Sequence, residues 1–470
     1  MANAKTGHSS LQKDIAFPVD GLDIDEALGK IQEFYQSGRL KQAQRICKEV
    51  LQVEPDSQIA LRQLGIIAHR MDEFENAKQC FFDLTCIAPD DASVYYNLGN
   101  TCVRLNDLDL AFAAFAKTVE LDPQYAPAYN NMGVILQMRG DMEDAIDYFY
   151  DANELNPEHT LSRMYLAESL GRLHRLDECN EVIDNSLSIN TLSPEQRAEL
   201  MQRQAINAWL ESDYETCEKT LNMCSHILPH LRESEAFSDF IESFTSLFMF
   251  KVNHSDCYEG NANASIYYLA NKSALPAANI VVEMNDLDYR INALYVEDSD
   301  ILALLDNDSR LVQAGFKAAI DQIPNKSPVF VDFNEQSCHF QGALFKAFCS
   351  KRSKGNAYLK KVCEAYVKHL DVIARARHLK LVFVGAPAAN IKLKGISPDR
   401  QKKYIAFLEQ FNVLLAAAVV DHSYAFLDVY TPTISKSGFS NKRYHLNDSF
   451  LKPSIFNDII GDYLLTKKLN

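Results

Sequence analysis

The sequence predicts an all-α repeat solenoid in the amino-terminal half, followed by an α/β region with a mostly parallel sheet. Two observations carry this. Pro55, Pro89, Pro123 and Pro157 recur every 34 residues, a period at which helix pairs stack into arrays. From about Ser265, short β-rich runs alternate with helical stretches, which implies a parallel sheet covered on both faces. A length of 470 residues leaves room for about two or three folding units.

Taken in order, residues 1–20 show no apolar stretch of the kind a secretory signal needs and read as a flexible terminus. The repeats occupy 21–230, with four clear units at 24–57, 58–91, 92–125 and 126–159. Leu64–Gly65, Leu98–Gly99 and Met132–Gly133 form a large–small pair in the first helix of a unit. Ala43, Ala77, Ala111 and Ala145 take the small position of the second helix. Cys47, Phe81, Phe115 and Phe149 follow one turn later on the same face. Small residues let backbones approach, the aromatics fill the space between units, and each proline stops a second helix. Two weaker units follow at 160–192 and 197–229, with Thr191 standing where a proline belongs.

This pattern resembles the tetratricopeptide repeat, and the resemblance implies a groove that binds an extended peptide or a partner helix. Asn97 and Asn131 hold the same position in consecutive units, and Gln63 holds it one unit earlier. Asn100 and Asn130 are expected on the same side. An amide side chain offers a donor and an acceptor together, which suits a peptide unit. The spacing resembles the asparagine ladder of O-linked N-acetylglucosamine transferases. Arg104, Gln137 and Met138 are the neighbours expected to set specificity.

Residues 231–264 read as a linker with helical character. In 265–470 the strand-like runs are Ser265–Leu269, Ser327–Phe333, Lys380–Gly385 and Ala425–Tyr430. Helical stretches lie at Arg310–Ile323, Gly342–Arg377 and Pro398–Val420. Ligands of such sheets bind beyond the carboxyl ends of the strands. Residues at those ends resemble an SGNH/GDSL-type hydrolase, a three-layer, flavodoxin-like sandwich, over roughly 265–460. The family's Gly-Asp-Ser-His falls on Ala270, Asn271, Lys272 and Ser273, so a lysine stands at the nucleophile's place. A second motif keeps Glu335 and Cys338 but has Ser337 and His339 in place of Asp and Arg. The family's Asp-x-x-His pair falls on Asn447 and Phe450. Acyl transfer needs a hydroxyl or thiol beside a base, and Phe450 accepts no proton. The expectation is therefore a pseudoenzyme. The alternative is an esterase or deacetylase acting on glycan acyl groups, with a site relocated to Ser273, Ser337 or His445.

A net charge of −16 argues against a nucleic-acid binder, because phosphate contacts are made by Lys and Arg. The charge is uneven. Residues 341–403 hold fifteen basic and three acidic side chains, leaving 32 basic and 60 acidic residues elsewhere. This segment is expected either to be solvated helix faces or to meet an anionic ligand, and a carbohydrate-like ligand in the α/β region is also expected. The sequence has no GxGxxG, Walker A or HExxH motif and no zinc-spaced cysteine pair, so no cofactor or metal is expected. No run approaches the ~18 apolar residues of a membrane span. Eleven cysteines without a CxxC pair point to a reducing, cytoplasmic setting. The expected function is a protein-binding adaptor or chaperone. The resemblance further implies a setting in bacterial surface-glycan or flagellin modification.

Overall fold

The computed structural model describes residues 23–470 except 233–234, 259–261, 263, 285–286, 352–353, 389–395, 438, 446–450, 456–457 and 459–470. Six helix pairs start at residues 24, 58, 92, 126, 160 and 194. They are α1 Ile24–Gln36 with α2 Leu40–Val53, α3 Gln58–Arg70 with α4 Phe74–Ile87, and α5 Ala92–Arg104 with α6 Leu108–Leu121. Next come α7 Ala126–Arg139 with α8 Met142–Leu155, α9 Thr160–Arg172 with α10 Leu176–Leu187, and α11 Pro194–Leu210 with α12 Tyr214–Ile227. The turn inside each of the first five pairs passes through one left-handed residue: Gly38, Asp72, Asn106, Gly140 and His174. That residue redirects the chain from one helix to the next. A Cβ on Gly65 or Gly99 would fall 2.9 Å or 2.6 Å from the Phe81 or Phe115 ring, so the large–small pair is a close-packing requirement.

The chain divides into two compact units, one of residues 1–135 with 154–156, the other of 136–153 with 157–470. In the first, Ala43, Cys47, Ala77, Phe81, Ala111 and Phe115 are all buried. A polar stitch repeats on its surface: Gln44 Nε2 donates to Glu73 at 2.6 Å, and Lys78 Nζ donates to Asp107 at 2.9 Å.

The second unit carries α13 Glu235–Asn253 and a six-stranded sheet. Its strands are β1 Ala264–Ala270, β2 Val281–Met284, β3 Leu287–Tyr295, β4 Pro328–Asp332, β5 Lys380–Val384 and β6 Ala425–Leu427. The order is β2-β3-β1-β4-β5-β6, with only β2 antiparallel. The sequence reading missed β2 and β3. They lie toward an edge, and β3 carries Asp288, Arg290 and Asn292 among its partly buried residues, so no continuous apolar run marks it. The helices of this region are α14 Ile301–Leu305, α15 Arg310–Asp321, α16 Asn334–Cys338, α17 Ala343–Ser350, α18 Gly355–Arg377, α19 Pro398–Asp421 and α20 Tyr430–Thr433. The expected single helix over 342–377 is thus two, α17 and α18, and a Cβ on Gly355 at the start of α18 would lie 3.0 Å from Phe348.

Strand alternation sends side chains to two faces with different covers. Leu269, Val329, Val331, Leu381 and Phe383 pack with Phe316, Phe345, Tyr366, Phe407 and Phe411 of α15 and α17–α19. α19 is long and apolar enough by composition to cross a membrane, yet its Phe407, Phe411 and Leu415 belong to this core. On the other face, Ile266, Tyr268, Phe330, Val382 and Val384 share a core with Trp209, Cys217, Leu221, Phe244 and Leu247. Among the described residues, the connection from β1 to β3 contains a 3-10 turn at Lys272–Ala277 and β2, but no α-helix. Helices α11–α13 cover that face instead. Trp209 is fully buried and its Nε1 donates to the Leu275 carbonyl at 2.8 Å, while Asn279 Nδ2 donates to the Trp209 carbonyl at 2.9 Å.

Trp209→Ala should therefore destabilise the second unit by about 3–5 kcal/mol, the range for a truncated core aromatic. Urea unfolding followed by far-ultraviolet circular dichroism measures it. A midpoint equal to wild type would show that the repeat helices are not part of the sheet's core.

Candidate functional sites

In the first unit, Gln63, Asn97 and Asn131 each occupy the sixth residue of a first helix. Asn131 Nδ2 donates to Asn100 Oδ1 at 2.9 Å, and Asn130 Nδ2 donates to Asn131 Oδ1 at 3.1 Å. The result is a relay of three amides across adjacent helices. Asn130 is 6% exposed, and its buried Oδ1 has no hydrogen-bond partner among the described residues. Asn97 and Gln63 are half-buried; among the described residues the Asn97 side chain makes no hydrogen bond, although its carbonyl accepts from Thr101 Oγ1 at 2.8 Å. Arg104 is committed elsewhere. It pairs with Asp72 at 3.4 Å and lies over the Phe74 ring at 4.5 Å, at the turn end of its helix. Gln137 belongs to the second unit, is 5% exposed and donates to Ser169 Oγ at 3.3 Å. The structure thus joins Asn100, Asn130 and Asn131, leaves Asn97 open, and occupies Arg104 and Gln137 with internal contacts.

The carboxyl edge of the sheet is stitched by polar groups. Asn271 Nδ2 donates to the Ser299 carbonyl at 3.0 Å, and its Oδ1 accepts from the Ser273 N–H at 3.2 Å. Ser273 Oγ donates to the Asp332 carbonyl at 3.2 Å, and Tyr268 OH donates to Asp332 Oδ2 at 2.9 Å. Burial pushes the Asp332 carboxyl above its ordinary value. Lys272 is exposed. The side chain of Glu335 lies outside the described residues, as do Asn447 and Phe450. Ser337 is fully buried: its Oγ accepts from the Ile301 N–H at 2.7 Å and donates to the Phe333 carbonyl at 2.9 Å. Cys338 is buried and its thiol is pushed up by burial. His339 is exposed and its Nδ1 accepts from the Gln341 N–H at 3.2 Å. The Ser337–Cys338–His339 run therefore provides no nucleophile–base contact. Ser440 Oγ and His445 Nδ1 do approach, at 2.7 Å, in a short turn where Ser440 also accepts from the Lys442 N–H at 2.9 Å.

Beside β3 the same edge meets the repeat helices through an ion network. Arg203 Nη1 and Nη2 grip Glu297 at 2.9 Å and 3.1 Å. Arg172, 7% exposed, bonds Glu168 at 3.0 Å and Asp298 at 2.8 Å. Burial raises Glu297, but Arg203 and then Arg172 outweigh it and hold the carboxyl below its usual range, with a contribution from Lys272. A cleft of about 120 Å³ opens beside this network, lined by His174, Asn207 and Tyr295 among others. Burial lowers His174 to about 4 and leaves its Nε2 without a partner. Sequence reasoning missed this junction. Two signals mark it: α11 has 17 residues where α5 has 13, and the chain's one tryptophan lies on it.

Residues 92–125 and 114–147 match the tetratricopeptide repeat family. The chain carries tetratricopeptide repeats, followed by an α/β region with a mostly parallel sheet. No curated protein matches it significantly. Among solved structures, PilW, a type IV pilus biogenesis factor, is 18% identical over 46% of this chain and 99% of its own, with a TM-score of 0.39. PilF of Pseudomonas aeruginosa is 16% identical over 46% of this chain and 96% of its own, with a TM-score of 0.38. MamA of Desulfovibrio magneticus is 20% identical over 35% of this chain and 92% of its own, with a TM-score of 0.33.

The depressed Glu297 carboxyl fixes a pH dependence. Its contribution is present above the unfolded carboxyl value near ~4.3 and is lost as pH falls through the folded value. Glu297→Gln strands Arg203 and should cost about 3 kcal/mol at neutral pH, the deficit shrinking toward zero in acid. Urea midpoints for both proteins between neutral and acid pH measure this. A constant deficit would show that the carboxylate charge is not what matters.

Proposed function

We propose that this chain is a non-catalytic, protein-binding adaptor whose tetratricopeptide groove takes an extended peptide main chain. The observation that carries the reading is the relay Asn100–Asn131–Asn130, whose Asn100 and Asn131 are only half-buried. A peptide main chain supplies a donor and an acceptor at every residue, and an amide side chain matches both. Asn97, open one unit earlier, extends the same register. Reading main chain makes such a groove tolerant of partner side chains.

The α/β region fits an SGNH-hydrolase-like frame without its chemistry. Support comes from its parallel strands, which taken alone run 2-1-3-4-5 in order of appearance, an order shared by flavodoxin-like sheets. Further support comes from exposed Lys272 at the end of β1. The resemblance suggests a setting in bacterial surface-glycan or flagellin modification. Free cysteines, most of them buried, fit a cytoplasmic location. A second reading, a relocated esterase or deacetylase, draws on the Ser440–His445 contact of 2.7 Å.

Peptides selected from a displayed library against the full chain test the first reading. Asn97→Ala with Asn131→Ala should weaken a selected peptide by about 1–3 kcal/mol, roughly 5- to 150-fold by calorimetry. Asn97→Ala alone should leave the melting temperature unchanged, whereas Asn131→Ala, which removes the centre of the relay, should lower it. Unchanged affinity in the double variant would place the peptide elsewhere.

Short p-nitrophenyl esters test the second reading. Wild type should show no turnover above buffer. Turnover abolished by Ser440→Ala or Ser273→Ala would replace the adaptor reading of the α/β region with an enzymatic one.

A further inference from the structure

The basic residues of 341–403 fall into two groups. On α18, Lys360 pairs with Glu364 at 3.7 Å and Arg375 pairs with Asp371 at 2.8 Å. Between α17 and the first turns of α19, by contrast, Lys346, Arg400 and Lys403 line one groove of about 400 Å³. All three are exposed, and none forms an ion pair among the described residues.

The walls of this groove are fixed. Phe345 of α17 is buried and packs against Tyr404 and Phe407 of α19 at ring distances of 5.0 Å and 5.2 Å. The Arg400 guanidinium is held over the Phe340 ring at 4.8 Å, which aims a planar donor without consuming its hydrogen bonds. The groove also lies on the carboxyl side of the sheet, because α17 follows β4 and α19 follows β5, and ligands of open α/β sheets collect on that side.

Charge decides what fits. Lys346, Arg400 and Lys403 against Asp399, the one acid in the lining, leave two uncompensated positive charges. A phosphate monoester carries between about −1.5 and −2 at neutral pH. Outside 341–403 the chain holds 60 acids against 32 bases, so a long polyanion reaching past this segment meets repulsion, whereas a compact dianion sits within about one Debye length of its cations.

We propose that this groove binds the phosphate monoester of a small molecule, with Lys346, Arg400 and Lys403 holding its oxygens. The site is separate from the peptide groove and does not depend on the adaptor reading.

The test is calorimetry of the full chain at low ionic strength with inorganic phosphate and glycerol 3-phosphate. Saturable binding is expected. Lys346→Gln with Lys403→Gln should weaken it about tenfold or more, while Lys361→Gln with Lys368→Gln, on α18 outside the groove, should leave it within about twofold. A second readout needs no variant. Cys349 lines the groove with its thiol exposed, and Cys86 is an exposed thiol far from it in sequence. Glycerol 3-phosphate should slow alkylation of Cys349 and leave Cys86 unaffected. The proposal is overturned by absence of phosphate binding, by equal weakening in the two double variants, or by unprotected Cys349. Tighter binding of a poly-glutamate peptide or of phosphatidylserine vesicles than of either phosphate probe also overturns it, in favour of a macromolecular anion.

Discussion

Trp209 occupies a place where a parallel sheet needs a covering helix and where the local chain supplies none. The segment from β1 to β3 spends its residues on a 3-10 turn and an antiparallel strand, leaving Ile266, Tyr268, Phe330 and Val382 without a helix of their own layer. Bare apolar strand faces are costly in water. The sixth helix pair and α13 remove that cost by turning Trp209, Leu221 and Phe244 onto the sheet. A repeat array that ended freely would need a polar outer face on its last unit; here that face is core. The repeats and the sheet of the second unit therefore fold as one body.

The ion network follows from that packing. Bringing α9 and α11 to the end of β3 places Arg172 and Arg203 beside Glu297 and Asp298. Charges held this far from water stabilise a fold only when each finds a partner, and the bidentate Arg203–Glu297 contact supplies one. The same approach covers the β3 end of the carboxyl edge. The β4 and β5 ends, by contrast, lead through α16 and α17 and into α19, where the basic groove lies. The carboxyl edge of the sheet is thus divided between a structural junction and an exposed electropositive surface.

Much of this was legible because it is periodic. The 34-residue spacing of prolines, alanines and aromatics fixes the helix pairs, and the left-handed turn residues Gly38, Asn106 and Gly140 repeat the same period. Four strands were legible as short β-rich runs. β3 was not, because it is partly exposed and carries Asp288, Arg290 and Asn292, and β2 has only four residues. Site residues were legible by type and not by engagement. Sequence placed Asn97, Asn100, Asn130 and Asn131 on neighbouring helices, but no spacing rule says that Asn131 spends its amide on Asn100, or that Arg104 turns away to Asp72 and Phe74. Ser337 looked available for chemistry, and only its contacts with Ile301 and Phe333 reveal a buried structural hydroxyl. Such commitments depend on three-dimensional neighbours that a one-dimensional period does not encode.

In the peptide groove proposed above, the relay lowers the cost of holding a ligand. A free amide side chain loses rotamer freedom when it grips a ligand, on the order of 1 kcal/mol for each side chain held. Asn131 has already lost much of that freedom to its bonds with Asn100 and Asn130, so this cost falls on folding and not on association. Asn97, half-exposed and without an internal bond, can adjust to the peptide. On the proposed reading, affinity rests on one pre-ordered polar cluster flanked by an adaptable amide, which suits main-chain recognition.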